Sequence, residues 1–448
     1  MLSVQDALTR LETALAAAKA AGADAADALY VGDGSTSVSV RLGKLEDIGR
    51  SEGEEVGIRV FIGKSSASVS SSDLSPRALA TAAERAVAMA RLAPEDQWAG
   101  LAPEDRLLKG AIPDLDIDDG AAPSAEALRD LALAAEDAAR AIPGITNSEG
   151  GGASAGNAVM ALATSGGFRG GKSGTSYGAS ASVIAGEGAA MQRDYAWHST
   201  RHFSDLEDAA TIGTRAGTRA VKRLNPIKLD TAPMPIVYDP RVGSSLVGHL
   251  VGAITGSAIT RGTSFLKDLA GQQIFDSSIT IIDDPHRRRG LRSRSFDGEG
   301  LPTAATKLID AGVLTGWLLD SASARQLGLQ PTGHAARGTS GPPGAGTSNL
   351  HLAAGSVSPK ALIADIKRGF YVTELIGMGV NGVTGDYSRG ASGFLIENGE
   401  LTVAVAEVTI AGNLKDMFKA MIAADDLSFR HATNVPTLRI DGMTVAGA

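Results

Sequence analysis

Apolar residues recur at helical spacing at the start of the chain, where Leu8, Leu11 and Leu15 share one face. Ser3 followed by Asp6 reads as an N-cap with an acid at the third helical position, and Gly22 stops the run. From Ala28 to Ser72 the period changes to two, through Val38 and Val40, then Val56, Ile58, Val60 and Ile62. Gly43, Gly49, Gly53, Gly57 and Gly63 punctuate this stretch and predict a meander of short antiparallel strands. Ser75-Pro76 opens a second helix to about Leu92, with proline at the first helical position, where its missing N–H is harmless. A Pro/Asp-rich connection over 98–124 leads to a third helix from Ala125 to Ile142, closed by Pro143-Gly144. Strand patterns return from Ile145 to His202. A helix follows from about Leu206 and ends before Pro226, because a residue preceding proline avoids the helical region.

Three prolines between 226 and 235 mark a domain boundary, dividing the chain into 1–225 and 226–448. Past it, Ile236 to Tyr238 reads as a short strand and Val242 to Ile254 as a buried helix. The stretch 334–349 (HAARGTSGPPGAGTSN) reads as a loop, ordered or mobile. Near the C-terminus, glycines at 377, 379, 382, 385, 390, 393 and 399 interrupt apolar runs. Phe394 to Ile396 and Leu401 to Ile410 flank Asn398-Gly399, a strong hairpin signal. Helices set apart from antiparallel strands argue an α+β fold: an N-terminal antiparallel sheet with helices, then a β-rich C-terminal domain.

Composition narrows the function class. With 43% hydrophobic and 21% charged residues, the 448-residue chain can bury a substantial core. Aromatics at 4% and 55 glycines favour backbone packed against backbone in tightly turned sheets. The net charge of −8 discourages non-specific nucleic-acid binding. The basic run His286 to Arg289, with Arg292 and Arg294, reads as a solvated loop holding local ion pairs. There is no cysteine, which excludes disulfides, thiolate nucleophiles and thiolate-bound zinc, and fits a reducing cytoplasm. Neither a signal peptide nor an apolar run of ~20 residues is visible, so a soluble, cytoplasmic protein is expected.

Several motifs tempt. Gly166 to Ser173 (GGFRGGKS) matches the phosphate-cradling pattern GxxxxGK[ST], and Ile279 to Asp284 imitates an acidic metal-holding strand. Phosphate binding requires a helix to begin at Lys172-Ser173, whereas the residues that follow read as strand or loop. Gly377 to Gly382 matches GxGxxG without a following helix, and Gly174 to Gly178 matches GxSxG without a strand-to-helix elbow. His198 and His202 have HxxxH spacing, but in a strand they would lie ~13 Å apart, too far to share a metal.

Three blocks, PMPIVYDPRVGSSLVGHLVGAITGSAITRGTSF, then SRSFDGEGLPT with AGVLTGWLLDSASA, and finally TELIGMGVNGVTGDYSRGASGFLIENGELTVAVAEVTIAG, taken together resemble the TldD/PmbA peptidase family, and within it the TldE (PmbA) branch. The resemblance implies that the C-terminal domain is barrel-like. The resemblance implies that a catalytic member carries HExxxH on the central helix, with a distant cysteine as a further metal ligand. Aligned on Gly262-Thr263-Ser264, this chain has Val247, Gly248 and Gly252 at the histidine, glutamate and histidine positions. His249 stands nearby, alone. No metal bound by this chain and no catalytic residue of its own are therefore expected. The implied role is that of an accessory subunit pairing with a TldD-type catalytic partner that carries a divalent metal such as zinc. Unfolded peptides are the implied substrates, and a homodimer is expected in isolation, with neither nucleic acid nor membrane as partner. Peptide contacts are expected at Gly379, Gly382, Gly385, Asp386, Tyr387 and Ser388, with the last three facing a cavity. Gly338 to Ser348 would line the entrance as a flexible loop. The alternative is a self-sufficient hydrolase: a peptidase with an atypical site, or an NTPase using Gly166 to Ser173.

Overall fold

In the computed structural model, residues 1–447 are described. Helix α1 (Val4–Ala20) is capped by Ser3, whose hydroxyl accepts the Asp6 N–H. Then come β1 (Ala25–Arg41), β2 (Lys44–Ile62), β3 (Ser65–Ser71) and α2 (Pro76–Leu92), the last capped by Ser75. After the Pro/Asp-rich connection come α3 (Ala125–Arg140), β4 (Ile145–Thr164), β5 (Arg169–Ala185), β6 (Gln192–Thr200) and α4 (Ala209–Lys222). The strands form one antiparallel sheet in the order β3-β2-β1-β4-β5-β6. The short-strand meander is corrected: β1 has 17 residues and β2 has 19. Gly49 and Gly53 do not break the ladder but pair within it, opposite Ser37 and Asp33. The chain reverses only where left-handed backbone occurs, at Leu42-Gly43 and at Gly63. Helices α1 and α2 bury an Ala/Leu face on β1, β2 and β4, while α3 and α4 cover β5 and β6. Gly213 of α4 permits close packing, since a Cβ there would fall 1.9 Å from the Ala135 carbonyl oxygen.

Beyond Pro226, β7 (Ala232–Tyr238) leads into α5 (Pro240–Ala253) and α6 (Gly256–Thr260). Short elements follow: β8 (Ile281–Asp283), β9 (Thr306–Asp310), β10 (Val313–Leu314), α7 (Ser321–Leu327), β11 (Ala335–Ala336), β12 (Gly344–Ala345), β13 (Leu350–Leu352) and α8 (Pro359–Ile363). The chain closes with β14 (Arg368–Val380), β15 (Asp386–Glu397), β16 (Glu400–Asn413), α9 (Leu414–Lys419), β17 (Met421–Ala423), β18 (Thr433–Asn434) and β19 (Leu438–Ala446). The order β16-β15-β14-β7-β19 returns on itself, because β19 also pairs with β16 from Thr409↔Ala446 to Ala411↔Thr444. The result is a closed five-stranded barrel with one parallel pair, β7–β14. The β15–β16 turn places both Asn398 and Gly399 at positive φ, as a primed hairpin turn demands. The largest apolar cluster joins the barrel strands, through Ile236, Phe370, Val372, Val405 and Ile440, to Leu246, Val247 and Leu250 of α5. The fold is thus α+β with a barrel in its C-terminal part.

The two parts are tied by the 334–349 loop, which corrects the expectation of a flexible entrance. Arg337 inserts its guanidinium against Asp27 of β1, which also accepts from Arg59 of β2 at 3.0 Å. The Thr339 hydroxyl donates to Glu55, and Gly57, lacking a Cβ, lets the Thr339 backbone approach. At the far end the Ser348 N–H and hydroxyl donate to Asp283, both at 2.8 Å. Both ends of the loop are pinned.

The DGEGLP stretch turns beside this junction. Asp297 accepts the N–H groups of Glu299 and Leu301 and so shapes the turn, while Glu299 accepts the Ser321 N–H and hydroxyl at 2.8 and 2.7 Å. Burial, reinforced by Asp297, pushes the Glu299 carboxyl up to about 7. A carboxyl raised on folding holds its proton in the native state above the unfolded pKa of 4.5, so stability falls as pH rises from there to about 7. Glu299→Gln keeps the acceptor for Ser321 without the buried charge. It should therefore stabilise the protein by on the order of 2–3 kcal/mol at pH 8 and by little at pH 4.5. Denaturant titrations at the two pH values check this; a gain of equal size at both would refute it.

Candidate functional site

Helix α5 starts from an Asp239 cap that accepts the Arg241 N–H at 3.0 Å, with Pro240 at its first position. Leu246, Val247, Leu250 and Ala253 face the core. Gly248 and Gly252, four residues apart, share the outward face and are exposed. A Cβ at either would meet nothing within 4 Å. Of the three positions where the resemblance expects two metal-binding histidines and a glutamate general base, one is therefore buried valine and two are bare backbone facing open space. His249 is half-buried, with its ring edge-on to Tyr387 at 6.0 Å and its Nε2 without a hydrogen-bond partner. Burial first, and then the Arg389 cation, push its pKa down, so the imidazole is neutral at neutral pH. No cluster of three or more His, Cys, Asp or Glu suited to a metal exists among the described residues. One imidazole without a carboxylate or a second imidazole falls short of the about three protein ligands a catalytic zinc needs. The residues present do not fit the metal.

Exposed interior glycines cost helix stability without serving packing. Gly248→Ala and Gly252→Ala should each raise stability by about 0.5–1 kcal/mol. A measured loss would mean that the backbone there is already in contact with something.

The β14–β15 hairpin tip stands beside this helix. Gly379, Gly382, Asp386, Tyr387 and Ser388 line a shallow concavity of roughly 600 Å³ together with Met378, Val380 and Asn381. Gly385 lies outside it, at positive φ, and its N–H closes the turn on the Asn381 carbonyl at 2.8 Å. Asp386 is exposed and accepts from the Thr384 hydroxyl and Asn413 Nδ2, which hold its carboxyl below the usual range. Ser388 is exposed and crosses close over Gly379, where a Cβ would fall 2.1 Å from the Ser388 carbonyl oxygen. Tyr387 lines the concavity while its ring packs buried against His249, since β15 alternation turns the side chain inward. The ladder between β14 and β15 is irregular from Ile376 to Gly379, and β7 pairs with β14 only over Phe370–Val372. Past Val372, that edge of β14 pairs with no strand among the described residues, and Ile376, Met378 and Val383 stand exposed around it. Sequence reasoning missed Arg389. The only available signal was parity, which puts Arg389 on the same strand face as the inward Tyr387.

The remaining motifs resolve into ordinary structure. Lys172 and Ser173 lie within β5, paired with Met160 and Val159 of β4, and Lys172 Nζ donates to the Ser293 carbonyl at 2.8 Å. No helix begins there, so no N-terminal amides converge on a phosphate, and the NTPase alternative fails its own requirement. His198 Nδ1 accepts the Glu207 N–H, whereas His202 Nε2 lies 3.2 Å from the Asp116 carboxylate. The basic run is ion-paired as expected: Arg288 and Arg289 meet Asp116, and Arg289 also meets Asp205.

This barrel, with a Gly-faced helix and a glycine-rich hairpin beside it, belongs to a described class. The PmbA/TldA metallopeptidase family matches in three blocks: domain 1 over 26–90, the central domain over 118–224 and the C-terminal domain over 231–447. The metalloprotease PmbA of Escherichia coli O157:H7 is 39% identical over 435 residues, 97% of this chain and 94% of that protein. A PmbA homologue of Haemophilus influenzae is 36% identical, covering 92% of this chain and 90% of its own length. The chain belongs to the PmbA/TldD metallopeptidase family. Among solved structures, a putative modulator of DNA gyrase from Bacteroides thetaiotaomicron superposes with a TM-score of 0.92 at 27% identity, covering all of both chains. TldE of Thermococcus kodakarensis shares the fold, with a TM-score of 0.86 at 21% identity over 98% of this chain and all of its own. No helix among the described residues is long and apolar enough to cross a membrane.

Proposed function

We propose that this chain is the non-catalytic, TldE/PmbA-type subunit of a cytoplasmic metallopeptidase complex that degrades or matures unfolded peptides with a TldD-type catalytic partner. The observation that carries this reading is the α5 face, where Val247 is buried and Gly248 and Gly252 offer no side chain. In this reading a divalent metal such as zinc belongs to the partner, and no bond-breaking step is assigned to this chain. The chain contributes surface. The free edge of β14 offers backbone donors and acceptors to an extended peptide, and the adjoining glycines let that peptide approach closely. Enclosing the partner's site also excludes water from it. The exposed Ile376, Met378 and Val383 supply an apolar patch for pairing, which a second copy of this chain occupies when the partner is absent.

Two measurements test the reading. The purified chain, dialysed against a mild chelator, should retain zinc or iron well below one per chain by mass spectrometry, and it should co-elute with the catalytic partner. Stoichiometric metal held through His249 would instead favour a self-sufficient peptidase. Failure to co-elute would remove the subunit role.

A further inference from the structure

A cavity of roughly 410 Å³ lies between α5 and β6, reaching the start of the free β14 edge at Thr373, Glu374 and Leu375. Four arginines line it: Arg193, Arg223, Arg241 and Arg389. Three of them have carboxylate partners. Arg193 meets Glu149 at 3.4 Å, Arg241 grips Asp194 at 2.7 and 3.1 Å, and Arg223 bridges Asp194 and Glu374. Both acids of the cavity are therefore already engaged. Arg389 differs: among the described residues no carboxylate lies within ion-pair distance, and its one hydrogen bond is a long contact from Nε to the Ile376 carbonyl at 3.4 Å. The Arg389 guanidinium carries five N–H donors in a planar fork, and none of its nitrogens is a buried atom without a partner, so the fork is open for a ligand to reach. The fork matches one ligand geometry best, a carboxylate gripped by two parallel hydrogen bonds. Position strengthens the match, because a strand added along β14 beyond Val372 runs into this cavity where Thr373 to Leu375 form its wall.

We propose that Arg389 is a carboxylate-binding residue, and that this cavity receives the carboxylate of a bound peptide, either its C-terminus or an acidic side chain. The inference rests on the peptide-binding reading above and adds to it what the site recognises. Ser244 and Ser245 of α5 line the wall, and the ion-paired Arg241, Asp194 and Arg223 form its rigid floor. Arg389 holds the peptide and touches no reacting atoms, so it is a specificity determinant.

Calorimetric titration of the full chain, without any partner, tests the site. The probes are N-acetyl-trialanine, its C-terminal amide, and the amide of N-acetyl-Ala-Glu-Ala. The free acid should bind saturably, the trialanine amide about tenfold more weakly, a loss of 1.4 kcal/mol. Arg389→Gln should erase the difference between acid and amide, whereas Arg389→Lys should keep part of it; melting curves confirm that both variants fold. Binding of the glutamate peptide equal to that of the free acid means that any carboxylate is accepted. Preference for the glutamate peptide assigns the site to side chains. Equal binding of all three probes to the wild-type chain, no binding by any probe, or a preference for a carboxylate that survives Arg389→Gln would overturn the proposal. None of these outcomes depends on the catalytic subunit. A failure here leaves the subunit reading intact, and a failure to activate the partner alongside normal acid binding sinks that reading alone.

Discussion

Asp27→Ala should lower the stability of this protein by about 3–5 kcal/mol, the range for removing one member of a buried charge cluster. Asp27 is 2% exposed and lies between Arg59 and Arg337, whose side chains are 7% and 1% exposed. Its removal strands two buried cations, one of which, Arg337, anchors the 334–349 loop against β1. Burial works to raise the Asp27 carboxyl, but Arg59 and Arg337 more than offset it and hold the pKa below the unfolded 3.8. A carboxyl depressed on folding stabilises the protein above its unfolded pKa, and that contribution fades as pH falls through the native value. The wild-type protein should therefore lose stability below about pH 4, and Asp27→Ala should lose less over the same interval. Denaturant midpoints at pH 7 and in the acid limb check both statements. An unchanged midpoint at pH 7 would mean that Arg337 does not hold the two parts together.

The same cluster shows where sequence reading stops. Arg337 and Asp27 are 310 positions apart, and nothing local to a Gly/Pro-rich stretch announces so distant a partner. The resemblance implied a barrel-like C-terminal domain, but which strands close it was not local information, since β19 joins β16 through pairs such as Ile410↔Val445 that no hairpin turn signals. Local chemistry was readable. Ser3 and Ser75-Pro76 start α1 and α2 where the cap pattern put them, and Asn398-Gly399 turns the hairpin. Glycine misled in β2, because a strand interior tolerates it when both neighbouring strands keep their register. At the candidate site, the three degenerate positions follow from the resemblance alone. That Gly248 and Gly252 face open space, while Val247 faces the core, required the helix to be placed.

The second large effect concerns catalysis. With an unfolded peptide as substrate, a TldD-type partner mixed with this chain should cleave about a hundredfold faster than the partner alone, the scale on which substrate positioning changes rates. The gain is expected because the β14 edge would hold the peptide extended beside the partner's metal, and closure of the pair would exclude bulk water. Met378→Asp places a charge at a side chain that is 87% exposed in the apolar patch, so it leaves the core untouched. This variant should abolish both self-association and activation. Activation that persists in a variant no longer able to pair would place the pairing surface elsewhere.

The most direct measurement compares peptide cleavage by this chain alone, by the catalytic partner alone and by an equimolar mixture, with each chain's metal content known. The account predicts no cleavage by this chain, weak cleavage by the partner and strong cleavage by the mixture, with the metal confined to the partner. Cleavage by this chain alone that a chelator stops, or a mixture no more active than the partner, would contradict it.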